Sequence, residues 1–188
     1  MKSLLRKQIL ERRNAFPLSE IAEFSQKVCE RITELPQFKN CSAIFAYQSF
    51  GSEVDTQFLL ERAWNSGKKV CIPKVAEKGK MDFFAIEKNH RLKPNIYGIL
   101  EPPKDSELAI PDEKTMFVVP GVAFDRNGFR IGYGAGFYDI YLTKFENSVN
   151  PTAKIGICFD FCMVDNAFPD SHDVPMSAIV TENNVFEI

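Results

Sequence analysis

Apolar residues recur at helical spacing along the first part of the chain. Leu5, Ile9 and Phe16 form an approximate stripe, while Lys2, Arg6 and Arg13 share another side at spacings of four and seven. That pattern predicts a surface helix over residues 2–14. Pro17 interrupts it. Ser19 is the expected cap of a second helix, which carries Ile21, Phe24, Val28, Ile32 and Leu35 on one face and ends at Pro36. The period then shortens. Residues 42–47 (SAIFAY), 69–73 (KVCIP), 115–119 (TMFVV) and 153–158 (AKIGIC) are apolar runs of strand length, and 178–181 (AIVT) is a shorter one. The alternating DFFAIE at 82–87 predicts a strand at a sheet edge. Two more helices are expected. One covers about 57–66, capped by Asp55 or Thr56 and stopped by Gly67; the other covers about 136–146.

Strands that alternate with helices imply an α/β fold. The expectation is a single three-layer α/β/α Rossmann-like domain over residues 1–188, with a mostly parallel sheet. In such sheets ligands bind beyond the carboxyl ends of the strands. The loops after Tyr47, Val119 and Cys158 should therefore converge on one cleft. Residues 89–114, rich in proline and charge, read as a long surface excursion of the kind that often serves function.

Composition narrows the class. A chain of 188 residues, 45% hydrophobic, can bury roughly 70% of its unfolded surface without staples. A net charge of −2 argues against a nucleic-acid partner. No apolar run approaches the roughly 18 residues of a membrane span, and the first residues lack the apolar core of a secretory peptide. The five cysteines are odd in number and show no CxxC spacing, so buried free thiols in the cytoplasm are expected, and zinc is not.

The chemistry concentrates in residues 118–139, VVPGVAFDRNGFRIGYGAGFYD. An apolar strand runs into a loop with Gly128, Gly132, Gly134 and Gly136, and a helix follows. Such a loop offers backbone N–H groups to an anion, usually a phosphate. Arg126 and Arg130 add positive charge, and Asp139 could serve Mg²⁺. The Walker triplet Gly-Lys-Ser/Thr is absent, and glycines spaced one residue apart fit a dinucleotide fingerprint poorly.

This segment closely resembles the signature of the 5-formyltetrahydrofolate cyclo-ligases, also called 5,10-methenyltetrahydrofolate synthetases. Other segments resemble that family in the right order: Lys2 and Arg6 followed by Arg12-Arg13, Ser52 to Thr56, Ile72 to Val75, Gly98 to Pro102, and His172 to Pro175 followed by Val180 to Glu182. Essentially the whole chain is covered. The resemblance implies an ATP- and Mg²⁺-dependent enzyme. It would close 5-formyltetrahydrofolate to 5,10-methenyltetrahydrofolate, releasing ADP and phosphate, through phosphorylation of the formyl oxygen and attack by N10. It implies catalytic roles for Arg130 and Asp139. It assigns ATP to Lys2, Arg6, Arg130, Ile131, Gly132, Tyr133, Gly134, Ala135, Gly136, Phe137 and Tyr138. The folate falls to Phe50, Glu53, Tyr97, Tyr133, Gly134 and Tyr138, and Mg²⁺ to Asp139 and Asp173.

The implied substrate is a small molecule, with or without a polyglutamate tail, and the implied form is a monomer. Two departures stand out. Ala135 lies where the family often has Lys or Gly, and Ser177 where it often has an acid. Two other readings stay open on the residues alone. One is a different ATP-using kinase or ligase on the same scaffold, and the other is a folate-binding module without turnover.

Overall fold

In the computed structural model, which describes residues 1–75, 80–95, 98–145 and 153–188, the N-terminal stripes become helices α1 (Lys2–Asn14) and α2 (Leu18–Glu34). The apolar face of α2 buries Ile21, Val28, Cys29 and Ile32. Its cap is Pro17 and not Ser19, because proline's fixed φ already suits a helix start. Pro36 does more than end α2: it occupies the first turn of a short helix α3 (Pro36–Asn40), where its missing N–H costs nothing.

The remaining elements follow in chain order: β1 (Ala43–Phe45), α4 (Gln57–Asn65), β2 (Lys69–Val75), β3 (Met81–Ile86), β4 (Lys93–Pro94), β5 (Leu100–Glu101), β6 (Leu108–Ala109), β7 (Thr115–Pro120), β8 (Ala123–Asp125), β9 (Arg130–Ile131), α5 (Phe137–Thr143), β10 (Ala153–Ile157), β11 (Met163–Val164), β12 (Ala178–Val180) and β13 (Val185–Glu187). Eight strands form one sheet in the order β13-β12-β10-β7-β1-β2-β3-β6. Its centre, β12-β10-β7-β1-β2, is parallel; β13 and β3 pair antiparallel with its two outer strands, and β6 pairs antiparallel with β3. The expected mostly parallel α/β sheet, flanked by helices, is therefore present. Burial on both faces explains why the central strands read as unbroken apolar runs: Met116 through Val119 of β7 are wholly buried.

On one face, Phe45, Phe83 and Phe117 pack with ring centroids 5.0–5.8 Å apart, and Tyr141 of α5 closes the cluster 5.1 Å from Phe83. Strand alternation turns Ile44 to the other face. Helices α2 and α4 pack against each other, joined just before α4 by the Asp55 N–H, which donates to Ser25 Oγ of α2 at 2.9 Å.

Four further expectations change. β3 is not an edge, because β6 pairs along its outer side. The excursion at 89–114 contains the short strands β4, β5 and β6. The glycine segment is not a simple strand-loop-helix unit, because β8 and β9 form a hairpin within it and join β11 in a second, three-stranded sheet. The helix expected to reach residue 146 ends at Thr143, and residue 146 itself lies outside the described residues.

Candidate active site

From β1 the chain winds outward through β2 and β3, then returns to lay down β7 on the other side of β1. The sheet order thus reverses between β1 and β7, and their carboxyl ends open the crevice where such folds bind ligands. The three loops expected to converge do so. Tyr47, Glu53, Gly121, Cys158, Phe159 and Arg13 line one crevice, whose floor encloses about 10 Å³, roughly what one water needs.

The glycine segment is built on a buried acid. Asp125, only 1% exposed, accepts the Asn127 and Phe129 N–H groups with Oδ1 (3.0 and 3.1 Å) and the Ala167 N–H with Oδ2 (2.9 Å). This carboxylate folds the β8–β9 turn, and Asp-Arg-Asn-Gly is the sequence signal that could have found it. Gly128 closes the turn at φ +86°, where a Cβ would lie 2.8 Å from the Met176 carbonyl oxygen. The later glycines differ. A Cβ at Gly132, Gly134 or Gly136 would meet no heavy atom of the described residues within 4 Å. Gly134 and Gly136 have positive φ, which accounts for them, but Gly132 does not. Neither packing nor backbone requires a glycine at 132, so the open space suits something from outside the chain. Residues 133–136, including Ala135, are exposed, whereas the Ile131 side chain is fully buried in β9 and can offer a ligand only its backbone.

Arg130 is buried, and its guanidinium pairs with Asp139 Oδ1 at 2.7 Å and donates to the Val174 carbonyl at 3.2 Å. Asp139 Oδ1 also accepts the Val174 N–H at 3.1 Å. One residue before Val174, Asp173 Oδ2 accepts from Lys2 Nζ at 2.8 Å and from the Asp170 N–H at 2.9 Å. Lys2 reaches Asp170 as well, at 3.3 Å. Burial opposes the charge of Asp173, but the bonds from Lys2 and Asp170 and the Lys2 charge outweigh it and hold the carboxyl below its usual range. Arg6 Nε donates to the Gly132 carbonyl at 2.6 Å, which ties α1 to the glycine loop. Lys2, Arg6, Arg130, Asp139 and Asp173 are thus brought together. Ligand atoms of Asp170, His172 and Asp173 lie within 4.8 Å of one another, and the hard carboxylate oxygens suit Mg²⁺.

Glu53 faces this assembly from the loop after β1. It is 8% exposed, and both carboxylate oxygens are engaged: Oε1 by the Tyr133 hydroxyl at 2.7 Å and Oε2 by the Phe50 N–H at 3.0 Å. Burial pushes its carboxyl up, against the two hydrogen bonds and the Arg13 charge. The Phe50 ring is half exposed and abuts Gly98. Tyr138 lies under Arg130, and its buried hydroxyl has no hydrogen-bond partner among the described residues. Burial, with the Glu53 charge nearby, drives that phenol far above its ordinary value. The Phe137 side chain is half-buried against the core. Tyr97 lies outside the described residues.

Two residues fall elsewhere than expected. The Arg126 guanidinium stacks on Phe186 of β13, 4.9 Å from its centroid, so it does not join Arg130. Ser177 is held in the ladder beside β10, where its Oγ accepts the Lys154 N–H at 3.2 Å. Sequence reasoning missed Arg13 as a member of the site, although its place on the stripe with Lys2 and Arg6 was the available signal.

An open glycine loop flanked by cations, facing a buried carboxylate at the switch point of a mostly parallel sheet, defines an α/β protein with a candidate anion-binding crevice. The chain belongs to the 5-formyltetrahydrofolate cyclo-ligase family, whose profile matches residues 1–182, and is accordingly an enzyme of the ligase class. A probable 5-formyltetrahydrofolate cyclo-ligase of Schizosaccharomyces pombe is 34% identical, over 86% of this chain and 85% of its own length. The Escherichia coli 5-formyltetrahydrofolate cyclo-ligase is 30% identical, over 95% of this chain and 99% of its own. The solved structure of Aquifex aeolicus 5,10-methenyltetrahydrofolate synthetase superposes with a TM-score of 0.85 at 31% identity, over 99% of this chain and 92% of that one. Among the described residues, no helix is long and apolar enough to cross a membrane.

Proposed function

We propose that the protein binds ATP beside 5-formyltetrahydrofolate and closes the folate to 5,10-methenyltetrahydrofolate, releasing ADP and phosphate. The observation that carries this reading is the 2.7 Å hydrogen bond from Tyr133 to Glu53. It joins the candidate phosphate loop to the candidate pterin carboxylate, so a phosphoryl donor on one side would lie next to an acceptor on the other.

The chemistry needs that adjacency. An N-formyl group is an amide, and its carbonyl carbon is a poor electrophile. Transfer of the γ-phosphoryl group to the formyl oxygen turns that oxygen into a leaving group. N10 then attacks the formyl carbon, loses its proton, and phosphate departs with the oxygen. The second step is intramolecular, so holding the folate in the right pose supplies much of the rate. Glu53 accepts N–H groups of the pterin, with Phe50, Tyr97 and Tyr138 as aromatic walls. The open backbone at Gly132, Gly134 and Gly136 receives the phosphates, and Arg130, Arg6 and Lys2 offset their charge. Asp139 and Asp173 would be the carboxylates that hold magnesium, which would supply positive charge against the phosphates. Without nucleotide, Lys2 neutralises Asp173; with it, the phosphates compete for Lys2 and free that carboxylate.

We further propose a single-domain monomer, cytoplasmic, that takes its folate with or without a polyglutamate tail. A coupled assay tests the activity: purified protein, 5-formyltetrahydrofolate, Mg²⁺ and ATP, with methenyl-folate absorbance and ADP followed together. Equimolar appearance of both products is expected. ADP without methenyl-folate would mean a different acceptor, and folate binding with neither product a module that has lost turnover.

A further inference from the structure

Arg13 lies in the last turn of α1, and every nitrogen of its buried guanidinium is used. Nε donates to Ser52 Oγ at 3.1 Å, one amino group to the Gly121 carbonyl at 3.3 Å, and the other to the Tyr133 hydroxyl. The Tyr133 hydroxyl itself donates a hydrogen bond to Glu53. Ser52 in turn donates to Asn14, the next residue of the helix, at 2.6 Å. One side chain therefore touches the end of β7, the folate loop and the glycine loop, while Arg6 on the same helix holds Gly132. The Tyr133 ring is 52% exposed, so packing alone does not fix it; its hydroxyl is held by Arg13 and Glu53. A lysine could not replace this fork, having one nitrogen where three diverging donors are used.

We infer that Arg13 is a positioning residue that couples the two halves of the site, acting on Glu53 through Tyr133. A nucleotide that draws in the glycine loop moves the backbone of Tyr133. The hydroxyl must then shift on both Arg13 and Glu53. The carboxylate that receives the folate is thereby re-aimed when the phosphate donor arrives. This inference rests on the assignment of Glu53 to folate and the glycine loop to ATP. It adds a residue outside both, and a cooperativity that the reaction itself does not require. A purely structural tie would lock the three segments together and leave the two ligands independent.

Coupling is a ratio that can be measured. The dissociation constant of 5-formyltetrahydrofolate is determined without nucleotide, and again with a saturating ATP analogue whose β–γ bridge cannot be cleaved, Mg²⁺ being present in both. The wild type is expected to bind folate about fivefold tighter or more with the analogue. In Tyr133→Phe, which keeps the exposed ring and loses only the hydroxyl, the ratio should fall toward one. Arg13→Lys should lower it similarly. If Arg13→Lys melts early, Tyr133→Phe decides alone. A wild-type ratio of one, or a wild-type ratio retained in Tyr133→Phe, overturns the inference. Wild type that turns over with a ratio of one leaves the cyclo-ligase reading intact, whereas wild type that binds neither ligand overturns both.

Discussion

A carboxylate whose two oxygens are already engaged must exchange partners before it can bind anything else. Glu53 is in that position, held by Tyr133 and by the Phe50 N–H. Glu53→Gln should weaken 5-formyltetrahydrofolate binding by about tenfold or more, as loss of a charged hydrogen-bond acceptor does, and ATP binding by less. Equal weakening of both would give Glu53 a structural role. The same residue should mark the pH dependence of stability. Burial raises its carboxyl above the ordinary 4.5, so the folded protein holds that proton more tightly than the unfolded chain. Its contribution is complete below pH 4.5 and is lost as pH rises through the raised value. Urea unfolding at several pH values should show that downward slope in wild type and a flatter one in Glu53→Gln. Asp139 makes the opposite point. Its pairing with buried Arg130 means that Asp139→Asn should cost about 2–3 kcal/mol of stability, besides any effect on Mg²⁺, because it strands a buried cation. An unchanged urea midpoint would show that Arg130 finds another partner. Glu53 was legible only through the resemblance of its loop. Arg13 was not legible as a buried group, because a charged stripe on a helix is normally solvated.

At the level of elements, the glycine segment was legible as a phosphate loop but not as a hairpin. β8 and β9 have three and two residues, too few to show a period, and the turn between them depends on a carboxylate reaching Ala167, far along the chain. The four glycines looked alike in sequence and are not alike in space. Gly128→Ala forces a side chain to φ +86° and against the Met176 carbonyl. It should cost about 2–3 kcal/mol and lower the melting temperature. Gly132→Ala meets open space, so it should melt like wild type and instead raise the KM for ATP. The reverse pattern would move the nucleotide away from Gly132. The helices were read nearly to their ends, because α2 and α4 each expose one face and bury the other over two or more turns.

The whole molecule follows from a parallel core that announces itself in unbroken apolar strands. Its antiparallel flanks were less visible. β6 and β13 are two and three residues long, and nothing in so short a run states its direction. The cysteines agree with the expected free thiols: all five are buried and unpaired. Burial pushes Cys29, Cys71 and Cys162 up to about 12. At pH 8 roughly one in ten thousand of such groups is thiolate. A thiol-specific disulfide reagent should therefore find almost nothing to react with in the native protein, and five groups after denaturation. Rapid reaction of one or more thiols in the native state would reveal an opening of the core. The cations of α1 carry a consequence for the order of events in synthesis. The helix leaves the ribosome early, yet Arg13, Arg6 and Lys2 meet partners 108, 126 and 171 residues further on. Ser52 is made early and can hold the end of α1, but the glycine loop and Asp173, which fix its other contacts, come much later. Full docking of α1 is a late, long-range step, so a nascent chain should carry a formed core before it carries a working site.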